Sequence, residues 1–430
     1  MVWLQALSHP LRNRSRAFAP ARQAAIWCLV GAGLIFSQMW MMLVTGPTTD
    51  APTSELVRNL FIPAYALIAA TLVLQVRAVG EAIMRMPLTG LLVGLAFAST
   101  LWSIAPDITV RRAAALLFTT LAGVSLGALT SWRELARALG LIYIVTAVAS
   151  VAVALLLPRY GIMQVDFPGA WRGVWYEKNG LGNHMTQGFL FCAAAAFLSP
   201  KQGLRWAVGS GLCLGLVLMS QSKTALLGAL MGAAFLLLVF VCRRGAIWAL
   251  FGGYLAIVLG GTVVLVLLID QGLLLSLVGK DASLTGRTQI WAALQALVDQ
   301  KRWLGYGYGV IWSDTSIWGP MRSLAHRLGF HPQQAHSTLF EIELAGGYVG
   351  ASLWILILVL TTARAARLAF KSPGAYLALP FVAMFVVSMQ TETLAMSYND
   401  LFCMAFIAIA SRLATPLGSK DLNAHACSVT

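Results

Sequence analysis

The chain has 430 residues, of which 59% are hydrophobic and 11% are charged, and its formal net charge is +14. Typical soluble domains carry about 25% charged residues, and a soluble fold of this length cannot bury so much apolar surface, so soluble enzymes, disordered proteins and DNA-binding domains are excluded. Long unbroken apolar runs disfavour a membrane β-barrel, whose strands alternate, and predict an all-α polytopic integral membrane protein.

Apolar runs of about 20 residues, the length that crosses a bilayer, predict about twelve transmembrane helices. In chain order they cover residues 24–45, 60–76, 88–105, 113–131, 138–157, 181–199, 206–222, 224–242, 245–269, 346–363, 374–391 and 400–415. The predicted organisation is a cytoplasmic tail, nine spans that include a first external loop, a large external loop, three more spans and a second cytoplasmic tail: 1–23, 24–269 with loop 158–180, 270–345, 346–415 and 416–430.

The distribution of charge predicts the orientation, because cytoplasmic loops are enriched in Lys and Arg. With both termini cytoplasmic, the cytoplasmic segments hold 17 of the 30 Lys and Arg residues but only three of the 16 Asp and Glu residues. The outer segments then hold 13 of each sign, so the whole net charge lies on the side that meets anionic lipid. This split predicts an even number of spans and argues against a nucleic-acid partner.

The first external loop carries aromatic rings, glycines and the polar residues Arg172, Lys178 and Asn179 just before a helix begins. Aromatic rings stack on sugar faces, glycines allow close backbone approach, and the free N–H groups at a helix start attract an anion. The alternative interpretation is an interfacial aromatic belt with snorkelling cations. Lys223, between two later apolar runs, is either a snorkelling helix-end residue or a second anion ligand.

The large external loop contains two segments with candidate substrate contacts. From Arg287 the apolar positions fall on one helical face, which predicts an amphipathic helix on the outer surface that carries Trp291. A cation in the first turn opposes the helix dipole, so Arg287 is a candidate anion ligand, with a plain surface arginine as the alternative. The segment 303–312 alternates glycines with rings such as Tyr306, as in a sugar platform or a packed loop.

His336 lies where the last part of the large loop meets a predicted span. Imidazole is the side chain best suited to proton transfer near neutral pH, so His336 is a candidate base, although a lone histidine is usually structural. Glu341 enters an apolar run, which is costly for a carboxylate unless it is paired or functional. Glu341 and the neighbouring His331 are therefore candidate substrate-binding residues.

No metal and no other cofactor is predicted. His326, His331 and His336 are spaced by five residues, so they do not share a helical face, and the sequence contains neither an HExxH nor a DxD motif. No Walker or dinucleotide-binding glycine pattern is present, and the six cysteines form no CxxC pair and no disulfide framework.

The motifs occur in an order that resembles a known family. They are Arg172-Gly with Lys178-Asn179, Ser-Gln-Ser-Lys-Thr-Ala at 220–225, Thr-Gly-Arg with Trp at 285–291, Leu-Gly-Tyr-Gly-Tyr-Gly at 304–309, and Ala-His at 335–336. Over about 170–415 the chain is similar to the O-antigen ligase and Wzy-type polysaccharide polymerase superfamily, and most similar to its ExoQ-type exopolysaccharide polymerases.

The resemblance implies a metal-independent glycosyltransferase of the GT-C class on the periplasmic side of the bacterial inner membrane. Its donor would be an oligosaccharide linked to undecaprenyl diphosphate, and its site residues would be Arg172, Arg287 and His336. Family members often have Asn after that histidine, whereas Ser337 stands here. The implied partners are the lipid-linked donor, a glycan or lipid A–core acceptor, the bilayer and other polysaccharide-assembly proteins.

Two other functions remain open at this point. An O-antigen ligase, which transfers polymer from undecaprenyl diphosphate to lipid A–core, would share the scaffold and the donor with a polymerase. A secondary transporter is a remote alternative, because such proteins commonly show internal repeats and polar residues at the membrane midplane. The sequence shows no repeated halves and few charges within the predicted spans.

Overall fold

The computed structural model describes residues 19–46, 55–245, 247–254, 287–313, 319–330, 332, 334–369 and 371–416. These residues are mainly helical, and within them β-bridge pairing is limited to one antiparallel bridge between Ile162 and Trp171. The helices are α1 (Ala19–Phe36), α2 (Met41–Thr45), α3 (Glu55–Asn59), α4 (Ile62–Met84), α5 (Pro87–Ala98), α6 (Pro106–Leu129), α7 (Trp132–Leu156), α8 (Pro158–Gly161), α9 (Lys178–Leu198), α10 (Gly203–Met219), α11 (Lys223–Cys242), α12 (Arg287–Gln300), α13 (Pro320–Leu328), α14 (Thr338–Leu368), α15 (Ala375–Ser388) and α16 (Leu401–Ala414).

Six helical stretches in the described residues are long and apolar enough to cross a membrane, as expected for a multi-pass membrane protein. They are α3 with α4, α6, α7, α10 with the short turn before it, α11 and α14, while α1, α5, α15 and α16 are apolar but shorter. A helix lies at each predicted span up to 224–242 and at the last three. Most of the predicted span 245–269 lies outside the described residues. The number of twelve spans and the GT-C class stay predictions.

The backbone departs from regular helix at Gln38, within the first predicted span, and at Gly347, within α14. The predicted span 24–45 is interrupted after Phe36, since Gln38 adopts a left-handed φ of 58° before α2 begins. Near His336, where the sequence predicts a helix that continues into a span, α14 begins at Thr338. This helix is kinked at Gly347, whose φ is 60°.

Hydrogen bonds between distant segments show which loops share one end of the helix bundle. Trp175 Nε1 donates to Ser37 O at 3.0 Å, Gln38 Nε2 donates to Asn399 O at 3.1 Å, and Ile104 N donates to Tyr306 O at 3.1 Å. We call this the loop end, formed by residues 37–46, 99–105, 157–177, 220–222, 303–310, 335–337 and 389–400.

The connections at the other end of the bundle are short and rich in cations. Arg22 Nη2 donates to Glu134 Oε2 at 2.5 Å, and Arg133 Nε donates to Leu198 O at 2.6 Å. We call this the basic end, formed by residues 19–22, 129–137, 198–205, 243–245, 364–369, 371–374 and 412–416. The basic end contains segments that the sequence predicts to be cytoplasmic and rich in cations.

The helix α16 lies at the centre of the bundle, with every residue from Leu401 to Arg412 buried. Its close packing against α6 depends on glycines, as is common between membrane helices. A Cβ atom at Gly127 would lie 2.2 Å from Ala408 O, and one at Gly123 would lie 2.7 Å from Ile407 Cβ. The two helix backbones therefore touch, and α16 carries the loop 389–400 at its N-terminus into the loop end.

We expect Gly127→Ala to lower the stability of the folded protein, because the added methyl group forces α6 and α16 apart. Overpacking of this kind costs about 1–3 kcal/mol. The matched control is Gly94→Ala in α5, where a Cβ meets no atom within 4 Å. The midpoint of thermal unfolding in detergent should fall for the first variant only; equal midpoints for the two would contradict the packing of α6 on α16.

Candidate functional site

Arg172 lies in the loop between α8 and α9, and its guanidinium group holds that loop together. Its Nε donates to Tyr160 O at 2.7 Å, its Nη2 to Arg159 O at 2.9 Å and its Nη1 to Tyr176 O at 3.3 Å. The residue is 8% exposed, and this burial lowers the pKa of Arg172 from its ordinary value, although an arginine stays protonated. In the structure Arg172 therefore fastens both ends of the loop, and its predicted contact with a phosphate stays a prediction.

The helices α9 and α11 begin side by side at the loop end. Ser222 caps α11, with its Oγ accepting from Ala225 N, and the same hydroxyl donates to Asn179 Oδ1 at 2.8 Å. Farther along, Thr186 Oγ1 donates to Ala225 O at 2.9 Å. A Cβ at Gly182 would lie 2.7 Å from Ala225 Cβ, so only a glycine permits this approach. Asn179, predicted as a substrate contact, thus joins two helix starts.

Each of these two helices has a lysine as its first residue, Lys178 in α9 and Lys223 in α11. Lys178 Nζ lies 3.5 Å from the centroid of the Phe167 ring. The pKa of Lys178 is lowered, first by loss of water and then by the positive charge of Lys223. Neither first turn contains an acid; the exposed Glu177 precedes α9 and makes no side-chain cap. Two positive helix ends and two lysines thus converge on one place.

His336 lies two residues before the start of α14 and has a left-handed φ of 50°, a conformation that costs free energy in a non-glycine residue and is common at functional sites. The residue before it is fixed on both sides. Ala335 N donates to Glu341 Oε1 at 2.7 Å, and Trp291 Nε1 donates to Ala335 O at 3.0 Å. Glu341 and Trp291, predicted as substrate contacts, therefore bind the backbone that presents His336.

The same carboxylate and a neighbouring threonine connect this segment with two others. Glu341 Oε2 accepts from Trp312 Nε1 at 2.7 Å. Thr338 N donates to Met389 O at 3.0 Å, and Thr338 Oγ1 donates to Glu392 O at 2.7 Å. The position of His336 is thus determined by contacts with the segment after α12 and with the loop 389–400.

The end of α15 contacts both α11, which begins with Lys223, and the segment that follows His336. A Cβ at Gly228, in the second turn of α11, would lie 3.1 Å from Ser388 Oγ, the last residue of α15. The next residue, Met389, accepts the hydrogen bond from Thr338 N, two residues after His336. In the described residues α11 and the histidine segment therefore both contact the end of α15.

Tyr306 is not a sugar platform in the structure, which corrects the prediction for this residue. It is 5% exposed, and its hydroxyl donates to Leu297 O at 3.0 Å, so neither ring face is open to a ligand. Its burial raises the pKa of Tyr306 above the ordinary value. The next residue, Gly307, has a φ of 107°, and a Cβ there would lie 2.5 Å from Ser103 Oγ. The Gly-Tyr alternation is therefore a packed loop.

Two predicted site residues cannot be placed. His331 lies outside the described residues. Arg287 begins α12, as the amphipathic pattern predicts, but its side chain is outside the described part. No group of three or more His, Cys, Asp or Glu side chains in the described ranges could hold a metal ion. Because His331 lies outside those ranges, metal independence stays a prediction.

The sequence prediction missed the residues around the start of α16. Asn399, with a φ of 55°, accepts at Oδ1 from Tyr65 Oη at 2.8 Å, and its N donates to Thr119 Oγ1 at 2.8 Å. The guanidinium carbon of Arg112 lies 5.4 Å from the ring centroid of Tyr398. A signal was present, because Tyr-Asn-Asp at 398–400 directly precedes an apolar run.

Comparison with known proteins bears on the resemblance that the motifs predict. Residues 208–355 match the family model described as O-Antigen ligase. The chain is 29% identical over 272 residues to the exopolysaccharide production protein ExoQ of Rhizobium meliloti (strain 1021), and the match covers 60% of this chain and 60% of that protein. The predicted resemblance is confirmed.

The matched family segment contains part of the site and leaves part of it outside. Lys223, Trp291, His336 and Glu341 lie within 208–355, whereas the loop that carries Arg172 lies before it. The family segment and the preceding α9 are joined by the bond between Ser222 and Asn179.

We expect Glu341→Gln to destabilise the segment that presents His336. An amide keeps one acceptor oxygen, so either Ala335 N or Trp312 Nε1 loses its acceptor, and a buried unsatisfied donor costs about 1–3 kcal/mol. The matched control is Glu343→Gln on the same helix, to which no described residue donates a hydrogen bond. Proteolysis of the segment before α14 should accelerate in the first variant; equal cleavage rates in both would refute the supporting role of Glu341.

Proposed function

We propose that the chain is a polysaccharide polymerase of the GT-C class, which extends a surface polysaccharide or exopolysaccharide. Its donor is an oligosaccharide linked to undecaprenyl diphosphate. The observation that carries the proposal is the pair of helix N-termini at α9 and α11, each beginning with a lysine. Free N–H groups, positive helix ends and ammonium groups together suit a diphosphate, and the similarity to an exopolysaccharide production protein supports a role in polysaccharide synthesis.

The proposed location is the bacterial inner membrane, with the loop end on the periplasmic side and both termini in the cytoplasm. The cations of the basic end support this orientation, because positive charge is enriched in cytoplasmic loops. A lipid-linked donor fits this arrangement, since its polyprenyl tail would remain among the apolar helices while its diphosphate and sugars lie among the polar loops. Other polysaccharide-assembly proteins are proposed partners.

The proposed reaction is a single displacement at the anomeric carbon of the donor. The oxygen of an acceptor sugar hydroxyl forms the new glycosidic bond, and the bond from the anomeric carbon to the phosphate oxygen breaks. The hydroxyl proton passes to His336, and the electron pair leaves with undecaprenyl diphosphate. Lys178, Lys223 and Arg287 neutralise the leaving diphosphate, while Arg172 maintains the loop that precedes Lys178. No metal is required in this scheme.

Transfer to lipid A–core is the second candidate function, and the description of the matched family model as O-Antigen ligase favours it. The decisive experiment supplies the purified chain with lipid-linked repeat units, with and without lipid A–core and with and without a chelator. We expect a ladder of longer glycans that needs neither lipid A–core nor metal. Product formed only on lipid A–core would establish a ligase, and solute flux without transfer would establish a transporter.

We expect Lys178→Gln with Lys223→Gln to reduce glycosyl transfer at least about tenfold, since each lost charge-assisted hydrogen bond costs about 1.5–3 kcal/mol. His336→Ala should abolish transfer while the protein remains in the membrane. The control is Lys201→Gln, which removes one exposed lysine from the basic end. Unchanged chain lengths in the double lysine variant would remove the helix starts from the proposed donor site.

A further inference from the structure

The loop between α8 and α9 contains a short hairpin, closed by an antiparallel bridge between Ile162 and Trp171. Residues 164–169 form its exposed tip. Phe167, in this tip, is 49% exposed, but the centroid of its ring lies only 3.5 Å from Lys178 Nζ. The tip of the hairpin therefore contacts the first residue of α9, which is one of the two lysines at the proposed donor site.

Hydrogen bonds outside the tip hold the hairpin in place. Arg172, directly after the hairpin, donates to two carbonyl groups that lie before it in the sequence. Trp171 N donates at 3.0 Å to the carbonyl oxygen of Met219, the last residue of α10. From Met219 the chain passes through residues 220–222 into α11. The hairpin is thus fixed relative to both lysine-bearing helices by contacts that do not involve Lys178.

The surroundings of the Lys178 ammonium group oppose a positive charge. The group lies at a positive helix end, is half-buried, and is close enough to Lys223 to be repelled by it. Within the described ranges no carboxylate forms an ion pair with Lys178. The electron-rich face of the Phe167 ring does attract the group, because an ammonium within about 6 Å of a ring centroid is stabilised.

We propose that Phe167 is a positioning residue, whose ring holds the ammonium group of Lys178 at the paired helix starts for the diphosphate of the donor. An ammonium group has three N–H donors, so contact with one ring face leaves donors for phosphate oxygens. This role rests on the proposed function. It also gives Arg172 an indirect part in the reaction, because the bonds of Arg172 place the hairpin that carries Phe167.

An exposed phenylalanine in a membrane protein can instead be an apolar anchor in the lipid interface, and two substitutions separate the roles. Phe167→Leu keeps an apolar side chain but removes the ring, whereas Phe167→Tyr keeps the ring face. The control is Val165→Ala, which shortens an apolar side chain in the same tip that is 84% exposed. All three substitutions change exposed side chains, so we expect each variant to fold.

The first measurement follows acetylation of Lys178 by acetic anhydride over a series of pH values, read by mass spectrometry on the purified full chain in nanodiscs. It reports the pKa of the amine and needs no glycosyl transfer. Phe167→Leu should lower this pKa by about half a unit, because the ammonium loses the ring. Phe167→Tyr and Val165→Ala should stay close to the wild-type value. An unchanged pKa in Phe167→Leu, or an equal fall in Val165→Ala, overturns the proposal.

The second measurement is glycosyl transfer by Phe167→Leu with Lys178 present and in the Lys178→Gln background. With Lys178 present, the KM for lipid-linked repeat units should rise about two- to fivefold with little change in kcat. The rise should vanish in the Lys178→Gln background, where the ring has no ammonium to hold. An equal rise in both backgrounds overturns the positioning role. Absence of transfer in the wild-type protein would refute the proposed function instead, and the acetylation result would still decide the contact.

Discussion

The loop end depends on polar side chains that satisfy the backbone of non-helical segments. In a bundle this apolar, backbone N–H and C=O groups outside the helices need partners within the protein. Arg172 donates to three carbonyl groups, and Glu341 accepts from Ala335 N. The hydroxyl of Thr338 both donates to and accepts from backbone groups of the loop 389–400. The bonds of Thr338 join segments 54 and 56 residues apart, and those of Arg172 and Glu341 fix the backbone of their own loops, so a few side chains determine the shape of the site. Arg172 and Glu341, which the sequence predicts as site residues, thus also hold the backbone of the loop end in place.

The position of the helices could be predicted because lipid demands an apolar run whatever the tertiary contacts are. The predicted span 224–242 matches α11 (Lys223–Cys242) to within one residue, and the predicted span 60–76 covers the first part of α4, which continues to Met84. The breaks could not be predicted in this way. Gln38 and Gly347 leave the helical conformation where other segments pack against them, and a Cβ at Gly347 would lie 2.2 Å from the carbonyl carbon of Trp303. Such a constraint comes from residues far along the chain and leaves no periodic pattern.

For the site, residue type and position relative to a helix start were the informative signals. They identified Lys178, Lys223 and His336, but not the interactions that hold them in place. The bond between Ser222 and Asn179 joins residues 43 positions apart, and no local pattern predicts it. Tyr306 shows the opposite failure, because an exposed platform and a buried loop can share the same Gly-aromatic sequence. The close contact of the neighbouring Gly307 with Ser103 shows that this segment is the buried loop.

Lys178 and Lys223 begin helices, where the partial positive charge of the backbone opposes a cation. Arg412, by contrast, lies in the last turn of α16, where the partial negative charge of the backbone favours one. At the loop end both lysines lack that support, and an anion between them removes the repulsion from the helices as well as from each other. This is why the proposed diphosphate belongs at the start of α9 and α11.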